Sequence, residues 1–226
     1  KIVELTGSFK VPMGCRSFLQ GWKDENGVEV NSGRMNLGVV TVNLPRIALE
    51  SEGDMNKFWE IFNERMNIAE DALVYRVERT KEATPANAPI LYQYGAFGHR
   101  LGKEESVDQL FKNRRATVSL GYIGLYEVAT VFFGNSWESN PDAKEFTLDI
   151  IRDMKRRVEE WSDQYGYHFS IYSTPSESLT DRFCRLDTDK FGYIPDITDK
   201  EYYTNSFHYD AVSYTHLTLP TSDLVE

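Results

Sequence analysis

Two features of the sequence predict an α/β fold. Apolar runs of strand length alternate with long helical patterns along the chain, and the connections between them are short. Strands separated by helices in this way pair in parallel, because the helix returns the chain to the starting end of the sheet. The 226 residues are 41% hydrophobic and 13% aromatic, which is enough to bury a core and excludes a disordered chain.

The first regular elements follow a turn-rich beginning. Glycines and a proline interrupt residues 9–36, so we expect turns and short apolar fragments there. Leu37–Leu44 is almost continuously apolar, which predicts a strand buried on both faces and ended by Pro45. A helix is expected over about residues 54–81, because one apolar stripe recurs every three or four positions. The stripe consists of Met55, Phe58, Trp59, Phe62, Met66, Ala69 and Leu73.

The second half of the chain continues the alternation. Asn140 and Pro141 are typical of a helix start, and Gly166 is suited to the end of the same helix. The buried stripe of this helix is predicted to be Phe146, Ile150, Met154, Val158 and Trp161. The other predicted elements are a strand at 116–121 that turns into a short helix, a strand at 167–172 and a helix near 179–186.

The composition excludes several classes of protein. No apolar run approaches the ~20 residues of a membrane-spanning helix, so no membrane partner is expected. The formal net charge of −10 argues against a protein that coats nucleic acid. A small anionic ligand stays compatible with this charge, because backbone amides can bind phosphate locally.

The metal-binding and redox residues are few. Cys15 and Cys184 are too few for a disulfide framework or a four-cysteine zinc site, so a reduced, cytoplasmic setting is expected. The four histidines show no metal-ligand spacing, and no metal site is predicted from them: His99, His168, His208 and His216.

Cys15 is the first candidate for chemistry. It follows Gly14 in a compact loop, and the neighbouring Arg16 could favour its thiolate form. The alternative is a small buried side chain, since free cysteine is among the most buried residue types. Cys184, on the last predicted helix, is expected to be a core residue.

The second candidate is the turn at residues 173–178, where a predicted strand ends and a helix begins. Free amides, the helix dipole and serine hydroxyls together attract an anion. The alternative is that these residues only cap the helix. The candidate residues of the turn are Ser173, Thr174, Ser176, Glu177 and Ser178.

Two further groups of residues have simpler interpretations. The acidic group Asp187, Asp189, Asp196 and Asp199 is expected to be a solvated helix end and loop. The aromatic group Tyr202, Tyr203, Phe207 and Tyr209 is expected to fill the edge of a core.

Several of these segments closely resemble the anaerobic (class III) ribonucleoside-triphosphate reductases, which are glycyl radical enzymes. The resemblance runs in order from about residue 9 to residue 210. The strings that carry it are Met13–Leu19, Gly33–Ala48, Gln93–Gly98, Ser119–Gly124, Ser173–Ser178, Arg182–Asp187 and Thr198–His208.

The resemblance implies a fold and a domain organisation. The family builds a ten-stranded α/β barrel from two half-barrels, with a finger loop that carries a cysteine. Residues 1–212 are then a fragment of the catalytic barrel, with the finger loop at about residues 9–36. Residues 213–226 no longer follow the family pattern and are expected to be a non-native tail. A chain that begins at Lys1 is also expected to be a piece of a longer protein.

The resemblance also implies an activity, the reduction of ribonucleoside triphosphates to deoxyribonucleoside triphosphates under anaerobic conditions. Cys15 matches the finger-loop cysteine that becomes a thiyl radical and removes the 3′ hydrogen of the ribose. Asn36 matches an asparagine near the ribose hydroxyls. The turn at residues 173–178 resembles the loop that holds the triphosphate.

The remaining parts implied by the family lie outside this chain. They are a glycyl radical on a C-terminal loop, a four-cysteine zinc site, and formate as reductant. An iron–sulfur activating enzyme that uses S-adenosylmethionine is the implied partner, and the full-length enzyme is expected to be a homodimer. The fragment alone is expected to be inactive.

Two alternative functions stay open. One is a different glycyl radical enzyme, of the pyruvate formate-lyase type, whose loop typically carries adjacent cysteines, whereas Cys15 has Gly14 and Arg16 as neighbours. The other is a non-catalytic nucleotide-binding module, in which the turn at residues 173–178 binds phosphate and Cys15 is structural.

Overall fold

A computed structural model describes residues 12–13, 17–18, 22–24, 26–30, 32–175 and 178–206. Within these residues, strands and helices alternate as the sequence predicts. The strands are β1 (Pro12–Met13), β2 (Ser17–Phe18), β3 (Trp22–Lys23), β4 (Glu29–Val30), β5 (Met35–Asn43), β6 (Ala116–Ile123) and β7 (His168–Ser173). The α-helices are α1 (Leu44–Glu50), α2 (Met55–Lys81), α3 (Pro89–Tyr92), α4 (Leu125–Phe133), α5 (Pro141–Tyr165) and α6 (Ser178–Phe191).

The main sheet has three strands in the order β5–β6–β7, and it is parallel, as the alternation of elements predicts. Two contacts between β6 and the β7 segment show that the strands run in the same direction. The hydroxyl of Ser119 lies 3.0 Å from that of Ser170, and the amide of Thr174 donates to the carbonyl of Tyr122. Residue numbers rise together on both strands, which is the signature of a parallel pair.

The turn-rich beginning contains two short antiparallel pairs, β1 with β2 and β3 with β4. The turn between β3 and β4 is held by Asp24, whose Oδ1 accepts from the amides of Asn26 and Val28. Such an aspartate turn is a frequent alternative to regular structure in polar segments. Cys15 falls between β1 and β2 in sequence and lies outside the described residues.

The chain divides into two compact units. One comprises residues 1–40, 68–120 and 154–172, and the other comprises residues 41–67, 121–153 and 173–226. In the second unit, helices α2, α4 and α5 contribute a cluster of aromatic rings with centroids between 5.1 and 6.0 Å apart. Its members are Phe58, Trp59, Phe62, Phe132 and Phe146. Most of these residues belong to the two stripes predicted from helical spacing.

The end of the first long strand differs from the prediction. The strand ends at Asn43, and a helix starts at once, with Pro45 in its first turn. The side chain of Asn43 accepts a hydrogen bond from the amide of Arg46 and caps this helix. Proline is favoured at this position because its missing N–H would have no partner in the helix. Pro45 therefore lies in the first turn of α1 instead of ending an isolated strand.

Gly124 is required at the junction between β6 and α4. Its φ is +78°, in the left-handed region, and a Cβ there would overlap the ring of Pro45. Gly53 also has a left-handed φ, +85°, but a Cβ there would meet nothing within 4 Å.

We expect Gly124→Ala to destabilise the chain more than Gly53→Ala does. Gly53→Ala, the control, loses only the free energy of the backbone strain, about 1–2 kcal/mol. The clash with Pro45 adds about 1–3 kcal/mol at Gly124. Urea unfolding of the two variants and the wild-type chain measures the difference. Equal losses of free energy of unfolding would contradict the close approach of Gly124 to Pro45.

Candidate functional site

The structure describes four of the residues that the sequence singles out as site residues. Ser173, Thr174 and Ser178 lie together in the second compact unit, and Asn36 belongs to the first. Cys15, Ser176 and Glu177 lie outside the described residues.

The carboxyl ends of the three parallel strands all belong to the second unit. Each is followed within a few residues by the start of a helix: Asn43 by α1, Ile123 by α4, and Ser173 by α6. In open parallel sheets, ligands bind at this edge, because the helix N-termini there present free amides. The predicted anion-binding turn is the connection between β7 and α6.

Thr174 anchors the beginning of this turn. It is buried, and its hydroxyl lies 3.0 Å from the hydroxyl of Thr41. Its amide donates to the carbonyl of Tyr122, and its carbonyl accepts from the amide of Ser206, each over 3.1 Å. The backbone of Thr174 is thus engaged by the protein itself. Any ligand contacts of the turn therefore fall to the residues that follow Thr174.

Ser178 is the first residue of α6 and is exposed. The helix has 14 residues, and the amides of its first turn have no partner within the helix. The exposed carboxylate of Asp181 lies in the same turn, where the helix dipole favours negative charge. A phosphate group would interact with the same positive end of the dipole.

A short segment, Tyr203–Ser206, lies against both sides of the turn, and we call it the strap. The amide of Ser206 donates to Thr174 before the turn, and the amide of Tyr203 donates to the carbonyl of Thr180 after it, over 3.4 Å. The carbonyl of Thr204 accepts from the amide of Gly124 over 2.8 Å. The strap therefore connects the turn, the start of α6 and the start of α4.

Glu127 holds the middle of the strap. Its carboxylate is fully buried and accepts from the amide of Thr204 over 3.0 Å and from the Thr204 hydroxyl over 2.6 Å. Lys200 lies 3.4 Å from the same carboxylate. Burial raises the pKa of Glu127, and the charge of Lys200 and the Thr204 hydrogen bonds oppose this shift.

Asp187 holds the start of the strap, and its position corrects the prediction of a solvated acidic group. The side chain is fully buried and accepts hydrogen bonds from the Tyr203 hydroxyl over 2.7 Å and from Asn43 Nδ2 over 2.9 Å. The Arg46 guanidinium donates to its other oxygen and forms an ion pair with it. The pKa of Tyr203 is raised, mainly by burial and to a lesser extent by the charge of Asp187. The Tyr203 hydroxyl therefore stays protonated and donates its hydrogen bond.

Spacing along α6 explains the burial of Asp187. The buried residues of the helix are Thr180, Cys184 and Asp187, which are four and three positions apart and share one face. Leu186, a more hydrophobic residue, is 45% exposed. Hydrophobicity alone predicts the opposite arrangement, whereas the i, i+4, i+7 spacing from Thr180 would have identified the aspartate.

Asn36 is the second residue of β5 and is exposed. Its Oδ1 accepts from the amide of Gly38 over 2.8 Å, so the Nδ2 donors face away from this bond on an exposed side chain. Gly38 has φ +126°, and a Cβ there would lie 2.6 Å from Nη1 of Arg76. A side chain at position 38 would therefore be strained and would displace the end of the Arg76 side chain. The hydrogen bond from the Gly38 amide orients the Asn36 side chain.

Arg115 supports the chain immediately before Asn36. It is buried, its Nε donates to the carbonyl of Gly33 over 2.5 Å, and its own carbonyl accepts from the amide of Met35. Burial lowers the pKa of Arg115. A Cβ on Gly33 would lie 2.5 Å from both Arg115 Nη2 and the carbonyl oxygen of Phe97. Only glycine allows this approach to the guanidinium.

Cys184 is a core residue, as the sequence predicts. It is fully buried, and its thiol donates to the carbonyl of Lys200 over 3.2 Å. Burial, together with the charges of Glu127 and Asp187, raises the pKa of the Cys184 thiol to about 11. The thiol is therefore protonated near neutral pH and is a poor nucleophile.

The described part of the chain has neither a membrane-spanning helix nor a cluster of metal ligands. No helix in it is long and apolar enough to cross a bilayer. No group of three or more histidine, cysteine, aspartate or glutamate side chains in it could hold a metal ion.

Comparison with known families gives one extended match. A family model described as anaerobic ribonucleoside-triphosphate reductase matches residues 2–218. The anaerobic ribonucleoside-triphosphate reductase of Salmonella typhimurium is 50% identical over 213 residues, which are 93% of this chain and 30% of that protein. The chain thus spans less than a third of this relative. The family match also includes residues 213–218, and the non-native origin of residues 213–226 stays a prediction.

Solved structures agree with the family match. The anaerobic ribonucleotide reductase from Thermotoga maritima with citrate in the active site has a TM-score of 0.60 and 25% identity, covering 82% of this chain and 32% of that chain. The same enzyme in complex with dATP and CTP has a TM-score of 0.56 and 26% identity, covering 82% of this chain and 29% of that chain.

We expect Cys184 to be protected from thiol reagents in the folded chain. In the Cys15→Ser chain, Cys184 is the remaining cysteine of the sequence. A pKa of about 11 leaves it ~100-fold less thiolate than an unperturbed thiol at pH 8. Labelling with a chromogenic disulfide, in buffer and in urea, measures the two rates. Equal rates in the two solutions would contradict the buried position of Cys184.

Proposed function

Because the chain belongs to the anaerobic ribonucleoside-triphosphate reductase family, we propose that it carries the thiyl cysteine and part of the substrate site of such an enzyme. The observation that supports this most is the family match over residues 2–218, which includes every candidate site residue, together with 50% identity to a reductase over 213 residues. The proposed activity is the reduction of a ribonucleoside triphosphate at its 2′ carbon. The complete activity requires the parts of the family that lie outside this chain.

Cys15 is the proposed centre of the chemistry. A glycyl radical elsewhere in the full-length enzyme would take the hydrogen atom of the Cys15 thiol and leave a thiyl. The thiyl would take the 3′ hydrogen atom of the ribose, and the 2′ hydroxyl would gain a proton and leave as water. Formate would supply two electrons and be oxidised to carbon dioxide, and Cys15 would return the hydrogen atom to the 3′ carbon, which regenerates the thiyl. A thiyl must lie within contact distance of a single C–H bond, which a compact loop next to Gly14 can provide.

Asn36 is proposed to orient the ribose hydroxyls. Its Oδ1 accepts from Gly38, which leaves the Nδ2 donors for an oxygen acceptor such as a hydroxyl. An amide changes no protonation state during the reaction, whereas a carboxylate could remove a proton from the same hydroxyl. The hydrogen bond from the Gly38 amide and the bond from Arg115 to Gly33 favour one orientation of this amide.

The turn at residues 173–178 is proposed to hold the triphosphate. Thr174 secures its beginning, and the backbone amides at the start of α6 and the exposed Ser178 hydroxyl are donors suited to phosphate oxygens. The net charge of the chain is −10, so a local set of amide and hydroxyl donors is the physical basis for anion binding at this turn. Ser176 and Glu177 complete the proposed turn.

The larger assembly is also part of the proposal. The three parallel strands would belong to the ten-stranded barrel of the glycyl radical enzymes, with residues 9–36 as its finger loop. The full-length enzyme would be a homodimer activated by an iron–sulfur enzyme that uses S-adenosylmethionine. This segment alone would be inactive, because it has no glycyl radical.

We expect Cys15→Ser to abolish turnover in the full-length enzyme and to leave substrate binding intact, because a serine hydroxyl cannot relay the radical. Cys184→Ser is the matched control and is expected to retain turnover, since its hydroxyl can keep the bond to Lys200. Activity assays and equilibrium binding of CTP measure both effects. Full turnover by Cys15→Ser would exclude Cys15 as the residue that relays the radical.

We expect the double variant Ser176→Ala/Ser178→Ala to raise the KM for CTP about ten-fold. A ten-fold change corresponds to about 1.4 kcal/mol, or about 0.7 kcal/mol for each of the two lost hydrogen bonds. The kcat should change little, because the phosphates are remote from the reacting carbon. Ser136→Ala/Ser139→Ala is the control, at exposed serines before α5. Unchanged KM in the first variant would exclude the hydroxyls of this turn from triphosphate binding.

A further inference from the structure

We infer that the strap, Tyr203–Ser206, is the element that positions the triphosphate-binding turn, and that Tyr203 and Thr204 are positioning residues for substrate binding. This inference rests on the proposed role of the turn. It gives a function to the Thr198–His208 segment, which the chemistry of Cys15, Asn36 and the turn leaves unexplained.

The first argument is that the strap holds the turn from both sides. At the beginning of the turn, the Thr174 carbonyl accepts from the amide of Ser206, and just after the turn, the Thr180 carbonyl accepts from the amide of Tyr203. Two backbone hydrogen bonds from one segment thus fix the ends of the stretch that contains the proposed phosphate donors. Movement of the strap would change the spacing of those ends directly.

The second argument is the way in which the strap is itself held. Two fully buried carboxylates accept from it: Asp187 from the Tyr203 hydroxyl, and Glu127 from both the amide and the hydroxyl of Thr204. Burying a carboxylate is costly, and well-packed apolar side chains would supply as much stability. Directional hydrogen bonds to fixed acceptors instead define a position, which is what a ligand-binding turn requires.

The third argument is that the two carboxylates are themselves held at the ends of the parallel strands and the starts of the following helices. Asp187 is bound by Asn43 at the end of β5 and by Arg46 in α1, while Glu127 lies in the first turn of α4. The Gly124 amide, at the end of β6, also donates to the strap. The strap therefore places the turn relative to the carboxyl ends of the neighbouring strands, where the substrate is proposed to bind.

The test uses the full-length enzyme with Thr204→Val, which removes the hydroxyl donated to Glu127 and keeps the side-chain shape. Tyr203→Phe does the same for the bond to Asp187. We expect each variant to raise the KM for CTP about ten-fold while kcat stays within about two-fold, because binding of the phosphates is weakened and the reacting groups are untouched. Thr204→Ser, which keeps the hydroxyl, should restore the wild-type KM.

The matched control is Thr147→Val, the same substitution at a buried threonine of the same unit. The Thr147 hydroxyl donates to carbonyls of its own helix and not to the strap. Wild-type KM in Thr204→Val and Tyr203→Phe would overturn the inference, and so would an equal rise in Thr147→Val. If Thr204→Val does not fold, the KM of Tyr203→Phe decides the matter by the same criterion.

The same assays separate this inference from the proposed function. If the strap variants behave like wild type while Cys15→Ser is inactive, the strap has no positioning role and the radical mechanism stands. If Cys15→Ser turns over, the proposed function is wrong whatever the strap variants do.

Discussion

The second compact unit depends on the set of hydrogen bonds to the buried carboxylate of Asp187. It receives hydrogen bonds from the end of the first long strand, from the helix that follows it and from the strap, through Asn43, Arg46 and Tyr203. A carboxylate without these partners would be strongly unfavourable at this depth, and breaking such a set costs about 3–5 kcal/mol. The three segments must therefore adopt their mutual positions together.

The proposed chemistry likewise depends on where groups are held rather than on how reactive they are. The protein supplies little reactive chemistry of its own in the described residues, since Cys184 is buried and protonated and Asn36 is a neutral amide. What it supplies is placement: an orientation of Asn36 set by the hydrogen bond from the Gly38 amide, and a turn fixed at both ends by the strap. Radical chemistry requires such placement, because a thiyl that is not in contact with its C–H bond reacts elsewhere.

The sequence predicts the regular elements well because their signals are local. The long helices repeat their apolar residues every three or four positions, and the strands lie between them. The site is less predictable, because its contacts join residues far apart in sequence, such as Glu127 with Thr204. Asp187 was predicted to be solvated, although its spacing from Cys184 places it on the buried face of α6. Pro45 was predicted to end a strand, whereas it lies in the first turn of a helix.

A crystal structure of the full-length enzyme with bound CTP tests the central claim most directly. We predict phosphate oxygens within about 2.7–3.2 Å of amides at the start of α6, with the strap still bound to Thr174 and Thr180. A triphosphate bound away from the turn would contradict the proposed substrate site and, with it, the role of the strap.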